Sequence, residues 1–194
     1  SNHSRKVLIE ESDEAIVRKI LETNQHELFG ILYDRYKTKV FHKCISFAKN
    51  TDDAQDMLHD VFLKTFTNLS RFQGKSSFAT WLYSITYNFC VDYSRMKKKM
   101  RMKDIDDMAE ISEVDDELNE KELLSLRAER IAKVIDVIDP KEKAVLLMKY
   151  QDGASIQVIS EMLQLSESAV KMRLKRAKAR ALEVYSEMFQ NAYE

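Results

Sequence analysis

Residues 155–180 read SIQVISEMLQLSESAVKMRLKRAKAR, and this stretch decides the fold of the C-terminal part of the chain. Its apolar residues recur at three- and four-residue steps, which predicts two helices. Ser155 and Ser166 stand where a side-chain oxygen can cap the first turn of each helix. The second helix is rich in lysine and arginine. The stretch therefore predicts a helix, a tight turn and a second helix with a broad basic face.

This basic face suits the major groove of DNA, because long cationic side chains reach phosphates and guanine edges while the apolar side seats the helix. An ordinary surface helix would explain Lys178 and Arg180, since cations near a helix C-terminus suit its dipole. It does not explain Lys171 and Arg173, near the helix start. DNA contact is therefore predicted for Ser168, Lys171, Met172, Arg173, Lys175, Arg176 and Lys178.

The composition of the whole chain favours helices joined by short loops. Its 194 residues include only three glycines and one proline, and 44% of them are hydrophobic. Chains with many tight turns use more glycine and proline, so an all-α fold is predicted. Cys44 and Cys90 are isolated in apolar surroundings, which indicates reduced, buried thiols in a cytoplasmic protein. The four histidines show no zinc spacing, and no apolar run approaches the roughly 20 residues of a membrane span.

The net charge of -1 hides a segregation of charge along the chain. The charged residues in 75–103 are almost all basic, and those in 104–122 are almost all acidic. The charged residues in 171–180 are all basic. A chain of low net charge can still bind a polyanion through such basic blocks, because the local field at the contact matters. Residues 100–120 contain few large apolar side chains, so they are predicted to form a flexible acidic linker.

Residues 53–66, DAQDMLHDVFLKTF, predict an amphipathic helix with acids opposite an apolar stripe of Leu58, Phe62 and Phe66. An acidic face of this kind can meet a basic partner helix. A plain amphipathic helix packed on the core explains the pattern equally well, and the residues alone favour this simpler interpretation. Further along, Asp139 and Pro140 predict another helix start, with a capping aspartate and a proline at the first helical position.

Residues 72–95, FQGKSSFATWLYSITYNFCVDYSR, interleave aromatic with polar residues ahead of a basic tail. Aromatic faces beside a cationic groove can stabilise a separated nucleic-acid strand. Polar groups in the loop can line a pocket for one flipped base. Part of the pattern has a structural explanation: Phe78 and Phe89 are expected in the core, and Trp81 mostly in the core with one edge exposed.

Taken with DPKEK at 139–143 and SESAVKMRLKRA at 166–177, these motifs resemble the sigma-70 family of bacterial transcription factors. Residues 138–182 resemble the family domain that binds the promoter -35 element. Residues 53–66 are similar to the helix that docks on the coiled coil of the largest polymerase subunits, and residues 72–95 to the element that opens and reads the -10 region. The resemblance covers residues 10–185 and lacks the family's extra N-terminal and central regions, as in the extracytoplasmic function (ECF) group.

This resemblance implies a region 2 bundle over residues 8–99, a linker over 100–120 and a region 4 helix-turn-helix domain over 121–190. It assigns -10 contact to Lys75, Ser76, Trp81, Tyr83, Asn88, Arg95 and Lys97. It assigns docking on core polymerase to Asp53, Asp56, His59, Asp60 and Phe62. The chain departs from the family pattern at His59, where glutamine is frequent, at Ser160, where alanine is frequent, and at Gln164, where the turn glycine is frequent.

The implied function is that of an ECF-type sigma factor, which binds core RNA polymerase and directs it to promoters. Its partners would be core RNA polymerase, promoter DNA and an anti-sigma factor, without membrane insertion. No catalytic residue, small-molecule substrate, metal or cofactor is expected, because the chain lacks a nucleophile–base pair, a metal spacing and a glycine-rich phosphate loop. Two alternatives remain: a dimeric operator-binding regulator, which leaves residues 53–99 unexplained, and a sigma-like decoy or adaptor. The sequence does not name the promoter, the inducing signal or the inhibitor.

Overall fold

A computed structural model describes residues 6–102 and 120–189. Within these ranges every regular element is helical, which confirms the all-α prediction. Residues 103–119, most of the predicted linker, lie outside the described residues. The α-helices are α1 Asp13–Thr23, α2 Phe29–Ala48, α3 Thr51–Thr67, α4 Phe78–Arg101, α5 Glu120–Val137, α6 Pro140–Leu146, α7 Ile156–Leu163 and α8 Glu167–Phe189. Short 3₁₀ turns at His26–Leu28 and Leu69–Arg71 and a π turn at Leu147–Gln151 connect some of them.

The contacts divide the chain into two compact units. The first comprises Ser1–Ser94 and Ser160–Gln164, and the second Arg95–Ile159 and Leu165–Glu194. Each unit has buried apolar side chains of its own, such as Leu82 in the first and Val145 in the second. The boundaries 8–99, 100–120 and 121–190 stay a prediction.

Local capping sets the helix starts of the first unit. Ser12 caps α1, its Oγ accepting the amide of Ala15 at 3.2 Å. Asn50 caps α3, since its Oδ1 accepts the amide of Asp53 at 2.8 Å. Ser77 begins α4 by accepting the amide of Thr80 at 3.1 Å. Each side chain satisfies an amide that has no partner within its own helix.

The core of the first unit lies between α2, α3 and α4. Leu32, Val40, Val61, Phe78 and Leu82 are fully buried. Both cysteines are also buried and form no disulfide, as the sequence predicts. Because burial removes apolar surface from water at roughly 25 cal/mol per Å², these side chains are the main source of stability of the unit.

A polar network ties α1 to α2 through Asp13. Arg35 donates from Nη1 to one carboxylate oxygen of Asp13 at 2.8 Å, and the hydroxyl of Tyr36 donates to the other. Arg35 Nη2 also donates to the carbonyls of Ile9 and Glu11, at 2.8 Å each. Burial, together with the hydrogen bond to Asp13, raises the pKa of Tyr36 well above its usual value.

Replacing Tyr36 by phenylalanine is expected to lower the free energy of unfolding at neutral pH by about 1–2 kcal/mol, because the Asp13 carboxylate loses a buried donor. The folded protein holds the Tyr36 proton more tightly than the unfolded chain does. The contribution of the Tyr36 hydroxyl to the free energy of unfolding is therefore complete below pH 10, and it is lost as the pH rises above 10. Urea unfolding at a series of pH values should show the two proteins converging above pH 10. A constant difference up to pH 11 would contradict the assignment.

The helix starts predicted for the C-terminal part of the chain are present. Asp139 Oδ1 accepts the amide of Lys141 at 2.9 Å, with Pro140 at the first position of α6. Ser155 accepts the amide of Val158, and Ser166 that of Ala169, both at 3.1 Å. The turn residue Gln164 has φ 54°, in the left-handed region. Glycine adopts this conformation without steric cost, whereas glutamine does not, so this departure from the family pattern carries a backbone strain.

Candidate nucleic-acid interface

One face of α8 carries most of the residues predicted to contact the -35 element. Positions three and four apart on a helix lie on the same face. The buried side of α8 presents Val170, Leu174 and Ala177, which are at most 5% exposed. The opposite side is open, and Met172 in its middle is half exposed. The exposed side chains that share this face are Ser168, Lys171, Met172, Lys175 and Arg176.

Arg173 and Lys178 lie on the flanks of this face rather than on it. Arg173 is half-buried and lines a pocket of about 390 Å³ together with Asp139 and Arg176. Lys178 places its Nζ 5.3 Å from the ring centre of Tyr150, a cation–π arrangement. The structure therefore places five predicted contacts on one exposed face and two on its flanks, and Met172 and Arg176 of the exposed face border the same pocket as Arg173.

Glu142 lines the same pocket, and sequence analysis did not place it at the site. Its Oε2 is buried without a hydrogen-bond partner. A buried carboxylate oxygen in this state is costly unless a donor reaches it. Arg173 and Arg176 line the pocket as well, so Glu142 gives two of the predicted DNA-binding arginines an acidic neighbour. The signal in the sequence was Glu142 following the helix start at Asp139 and Pro140.

The predicted -10 residues lie on the loop before α4 and along α4 itself. Lys75 and Asn88 are exposed, and Ser76, Trp81 and Tyr83 are half-buried. The exposed edge expected for Trp81 is confirmed. Trp81 and Asn88 lie on one side of α4, whereas Tyr83 lies about 200° around the helix from Trp81, against Tyr36 and Lys43 of α2. The loop and the Trp81 side combine a cation, hydroxyl and amide groups and an aromatic ring, the groups needed to stack and hydrogen-bond unpaired bases. They are called the -10 surface, after the role predicted for them.

An aromatic cluster supports this surface from below. The ring centre of Phe72 is 5.3 Å from that of Trp81 and 5.9 Å from that of Phe78, and Phe78 is 6.0 Å from Trp81. Phe78 is fully buried, as predicted. Phe89 is only half-buried, so its placement in the core was wrong: its position on α4 turns part of the ring to solvent.

Lys43 of α2 is a further cation near the aromatic residues, and sequence analysis missed it. It is only 8% exposed, and its Nζ lies 4.3 Å from the ring centre of Tyr83 and 5.6 Å from that of Tyr87. Ring faces attract a cation, so Lys43 helps hold Tyr83 in place. The only signal was a single lysine next to Cys44 within an apolar stretch.

The basic end of α4 belongs to the second unit. Lys97 is exposed there. Arg95 is half-buried, and its Nη2 lies 3.5 Å from Oδ1 of Asp139. At this length and partial exposure the ion pair contributes little stability, so the guanidinium of Arg95 can exchange Asp139 for another anion at low cost.

Helix α3 presents an acidic face to solvent, but two of its predicted docking residues do not lie on that face. Phe62 is 4% exposed and packs edge-on against Phe29 and Tyr33, with ring centres 6.2 Å and 4.8 Å away. Asp53 accepts hydrogen bonds from Tyr93 and Asn50, at 2.9 Å each. Asp53 therefore has partners within the unit, and Phe62 supports α3 from the core.

The exposed part of this face contains an apolar residue that sequence analysis missed. Leu63 is 62% exposed. It lies three and four residues after Asp60 and His59, which are exposed as well. An exposed leucine bordered by acids is the composition expected of a protein-binding surface, with an apolar anchor inside a charged rim. We call this exposed side of α3 the acidic docking face, after the role predicted for it; it comprises Gln55, Asp56, His59, Asp60 and Leu63.

The described residues contain neither a candidate metal site nor a candidate membrane-spanning helix. Residues 6–102 and 120–189 contain no group of three or more His, Cys, Asp or Glu side chains placed to hold a metal ion. Among the helices of these same ranges, none combines the length and the apolar content that crossing a membrane requires.

Two family models match the chain, one in each half. The model for Sigma-70 region 2 matches residues 32–100, which include the acidic docking face and the -10 surface. The model for Sigma-70, region 4 matches residues 128–180, which include the basic face of α8.

Curated relatives cover most of the chain. SigW of Bacillus subtilis, an ECF RNA polymerase sigma factor, is 27% identical over 82% of this chain and 90% of its own length. SigX of the same organism, also an ECF sigma factor, is 26% identical over 75% of this chain and 77% of its own. The ECF RNA polymerase sigma-E factor of Haemophilus influenzae is 28% identical, over 86% and 92%.

Solved structures share the fold. CnrH, in complex with the cytosolic domain of CnrY, superposes with a TM-score of 0.63 at 22% identity, over 91% of this chain and 99% of that one. The sigma factor RpoE of Bartonella quintana, in complex with the anti-sigma factor NepR, gives a TM-score of 0.54 at 19% identity, over 80% and 95%.

Proposed function

The chain belongs to the sigma-70 family, in its ECF group, and we propose that its three surfaces divide the work of such a factor between polymerase docking, -10 melting and -35 recognition. It is a transcription initiation factor, which directs RNA polymerase to promoters. Sigma factors are a family of non-catalytic initiation factors, and we propose that this chain likewise catalyses no reaction. The observation that carries the proposal is the presence of both family regions, in order, each with its exposed functional face.

We propose that the acidic docking face binds core RNA polymerase. Asp56, His59 and Asp60 are exposed on one side of α3, where they can meet basic side chains of a partner helix. Leu63 would supply the apolar contact at the end of this face. The complementary charge speeds the encounter, and the apolar contact adds affinity once water is excluded. Phe62 takes part only by packing beneath the helix, and Asp53 by bracing α3 against Tyr93.

The test is co-elution of the purified chain with sigma-free core RNA polymerase on gel filtration at moderate salt. Asp56→Lys is expected to weaken binding by about tenfold, because it places a like charge against the basic partner. Glu22→Lys, at an exposed position of α1, is the matched control and should bind like the wild-type chain. Equal binding by all three proteins would remove α3 from the interface. Failure of the wild-type chain to bind would overturn the proposed function.

At the promoter, the -10 surface would hold the melted strand. The loop residues Lys75 and Ser76 and the exposed Asn88 would contact flipped or unstacked bases, and Trp81 would offer its ring for stacking. Tyr83 would act from the side of α4 that packs against Lys43. Arg95 and Lys97 would hold the phosphates, which carry most of the affinity and little of the sequence preference. The -10 and -35 surfaces would bind the two promoter elements together.

The open face of α8 would read the -35 element in the major groove. Lys171, Lys175 and Arg176 can reach phosphates or guanine edges, and Met172 offers an apolar contact to a thymine methyl group. Arg173 would act from the flank, where it lines the same pocket as Glu142. A dimeric operator-binding regulator is the second candidate, but it would leave the acidic docking face and the -10 surface without a role.

We propose an anti-sigma factor as an inhibitory partner and the cytoplasm as the site of action. The sigma-70 resemblance supports the first, and the RpoE structure, whose fold this chain shares, is described with such an inhibitor. The second follows from a polymerase partner and from two free cysteines. An inhibitor of this kind should displace the chain from core polymerase in the co-elution assay. An inhibitor that leaves the complex intact would contradict competition for the docking face.

A further inference from the structure

Glu14, in the first turn of α1, caps a helix that begins 64 residues later. Its Oε1 accepts the amide of Phe78 at 2.9 Å, and Phe78 is the first residue of α4. The first amides of a helix have no partner within the helix, and the positive end of the helix dipole favours a carboxylate. Ser77 satisfies the amide of Thr80 at the same helix end. The start of α4 therefore has one local cap and one that comes from a different helix.

The residue before Glu14 contacts the same region from the other side. Asp13 accepts from the hydroxyl of Tyr36. The ring of Tyr36 lies edge-on to those of Phe78 and Tyr83, with centres 5.8 Å and 6.0 Å away. Two consecutive acids of α1 therefore contact the start of α4. Glu14 accepts a backbone amide of α4, and Asp13 acts through the ring of Tyr36, which packs against α4.

The position of Phe78 affects the position of the -10 surface, because their side chains are packed together. Its ring packs against Phe72, which precedes the loop, and against Trp81, one turn into the helix. The loop between Phe72 and Phe78 carries Lys75 and Ser76 and turns at Gly74, whose φ is 70°. A shift at the first residue of α4 would therefore displace both the loop and the indole that are placed at the separated strand.

We propose that Glu14 is a positioning residue for -10 recognition, holding the start of α4 so that the loop residues and Trp81 meet the melted bases in register. This inference rests on the proposed function, because it presumes that the -10 surface reads promoter bases. It adds a residue that touches no DNA and lies outside the matched region 2 segment, residues 32–100. If only the local cap from Ser77 held the start of α4, changes in α1 would not alter the base preference at the -10 element.

The experiment uses holoenzyme reconstituted from core RNA polymerase and the full chain. The probe is a library of linear duplex templates with randomised -10 and -35 elements, and the transcripts are sequenced. Glu14→Ala is expected to lower the preference for the best base at -10 positions by about threefold to tenfold, since a lost cap loosens the first turn of α4. The preference at -35 positions should stay as in the wild-type holoenzyme, because the second unit reads them. Glu14→Gln keeps an acceptor oxygen and should restore most of the -10 preference.

Two controls separate positioning from a general loss of stability. Glu22→Ala removes an exposed acid from the same helix and should change nothing. Val40→Ala opens a cavity in the core and should lower the melting temperature while leaving the -10 preference intact. An unchanged -10 preference in Glu14→Ala, or the same loss in Val40→Ala, would overturn the inference. A wild-type holoenzyme without any -10 preference would instead overturn the proposed function, and the inference with it.

Discussion

Replacing Phe78 by alanine is expected to lower the free energy of unfolding of the first unit by about 3–5 kcal/mol. The ring is fully buried, so its removal leaves a cavity and forfeits the apolar surface withdrawn from water. Phe72, Trp81 and Tyr36 all lie edge-on or tilted against this ring and would lose contact together. Because small domains are stable by only about 5–15 kcal/mol, the loss would be a large part of the total.

Trp81 makes this measurement specific to the first unit, because it is the only tryptophan in the chain. Urea unfolding followed by tryptophan fluorescence therefore reports on that unit without the second. Leu63→Ala is the matched control: the side chain is 62% exposed, and its truncation should change stability by less than about 0.5 kcal/mol. A change below about 1 kcal/mol in Phe78→Ala would mean that the site collapses around the missing ring and that the aromatic cluster is not rigid.

Replacing Arg176 by alanine is expected to reduce transcription from a -35-dependent promoter by a factor equivalent to about 1–3 kcal/mol if the guanidinium reads a base. Arg176 is exposed on the same face as Lys171 and Lys175, so the substitution removes a contact without disturbing the core. Arg176→Lys keeps the charge but loses the bidentate geometry. Near-wild-type activity in Arg176→Lys would assign the residue to a phosphate rather than to a base.

Arg180 provides the matched control on the same helix. It is paired with Glu183 at 3.0 Å and lies to the side of the open face, so Arg180→Ala should leave -35 use unchanged. The assay compares holoenzymes on one promoter with an intact and a scrambled -35 element. Equal activity of wild-type and Arg176→Ala holoenzymes on the intact promoter would remove Arg176 from the recognition face. A loss that persists on the scrambled element would show that the effect does not depend on -35 sequence.

The helices and their starts could be predicted from the sequence because they depend on local interactions. Ser155 and Ser166 cap helices as expected, since a cap joins a side chain to an amide three residues away. The basic side of α8 and the acidic side of α3 follow from a 3.6-residue period, which needs no knowledge of neighbouring helices. The motifs that resemble the sigma-70 regions could also be read from the sequence, because each is a contiguous stretch of residues.

The side of each helix that a neighbouring helix covers could not be predicted from these local patterns. Phe62 was expected to contact polymerase and is instead buried against Phe29 and Tyr33. Phe89 was expected in the core and keeps part of its ring in solvent. Phe62 lies within the apolar stripe of α3, so its burial follows the periodicity, and only the resemblance had assigned it to polymerase docking. For Phe89 the packing angle of the neighbouring helices decides how much of the side chain is covered.

By itself, therefore, the sequence determined that this protein is all-helical, where its helices begin, and which helix carries the basic face and which the acidic one. Only the tertiary structure decided that Glu14 caps α4, that Asp53 is held by Tyr93 and that Lys43 lies against Tyr83. These pairs join residues 40 or more positions apart, 64 in the case of Glu14. The helical periodicity of the sequence cannot predict these pairs, because they form only when α1, α2, α3 and α4 pack and bring their side chains together.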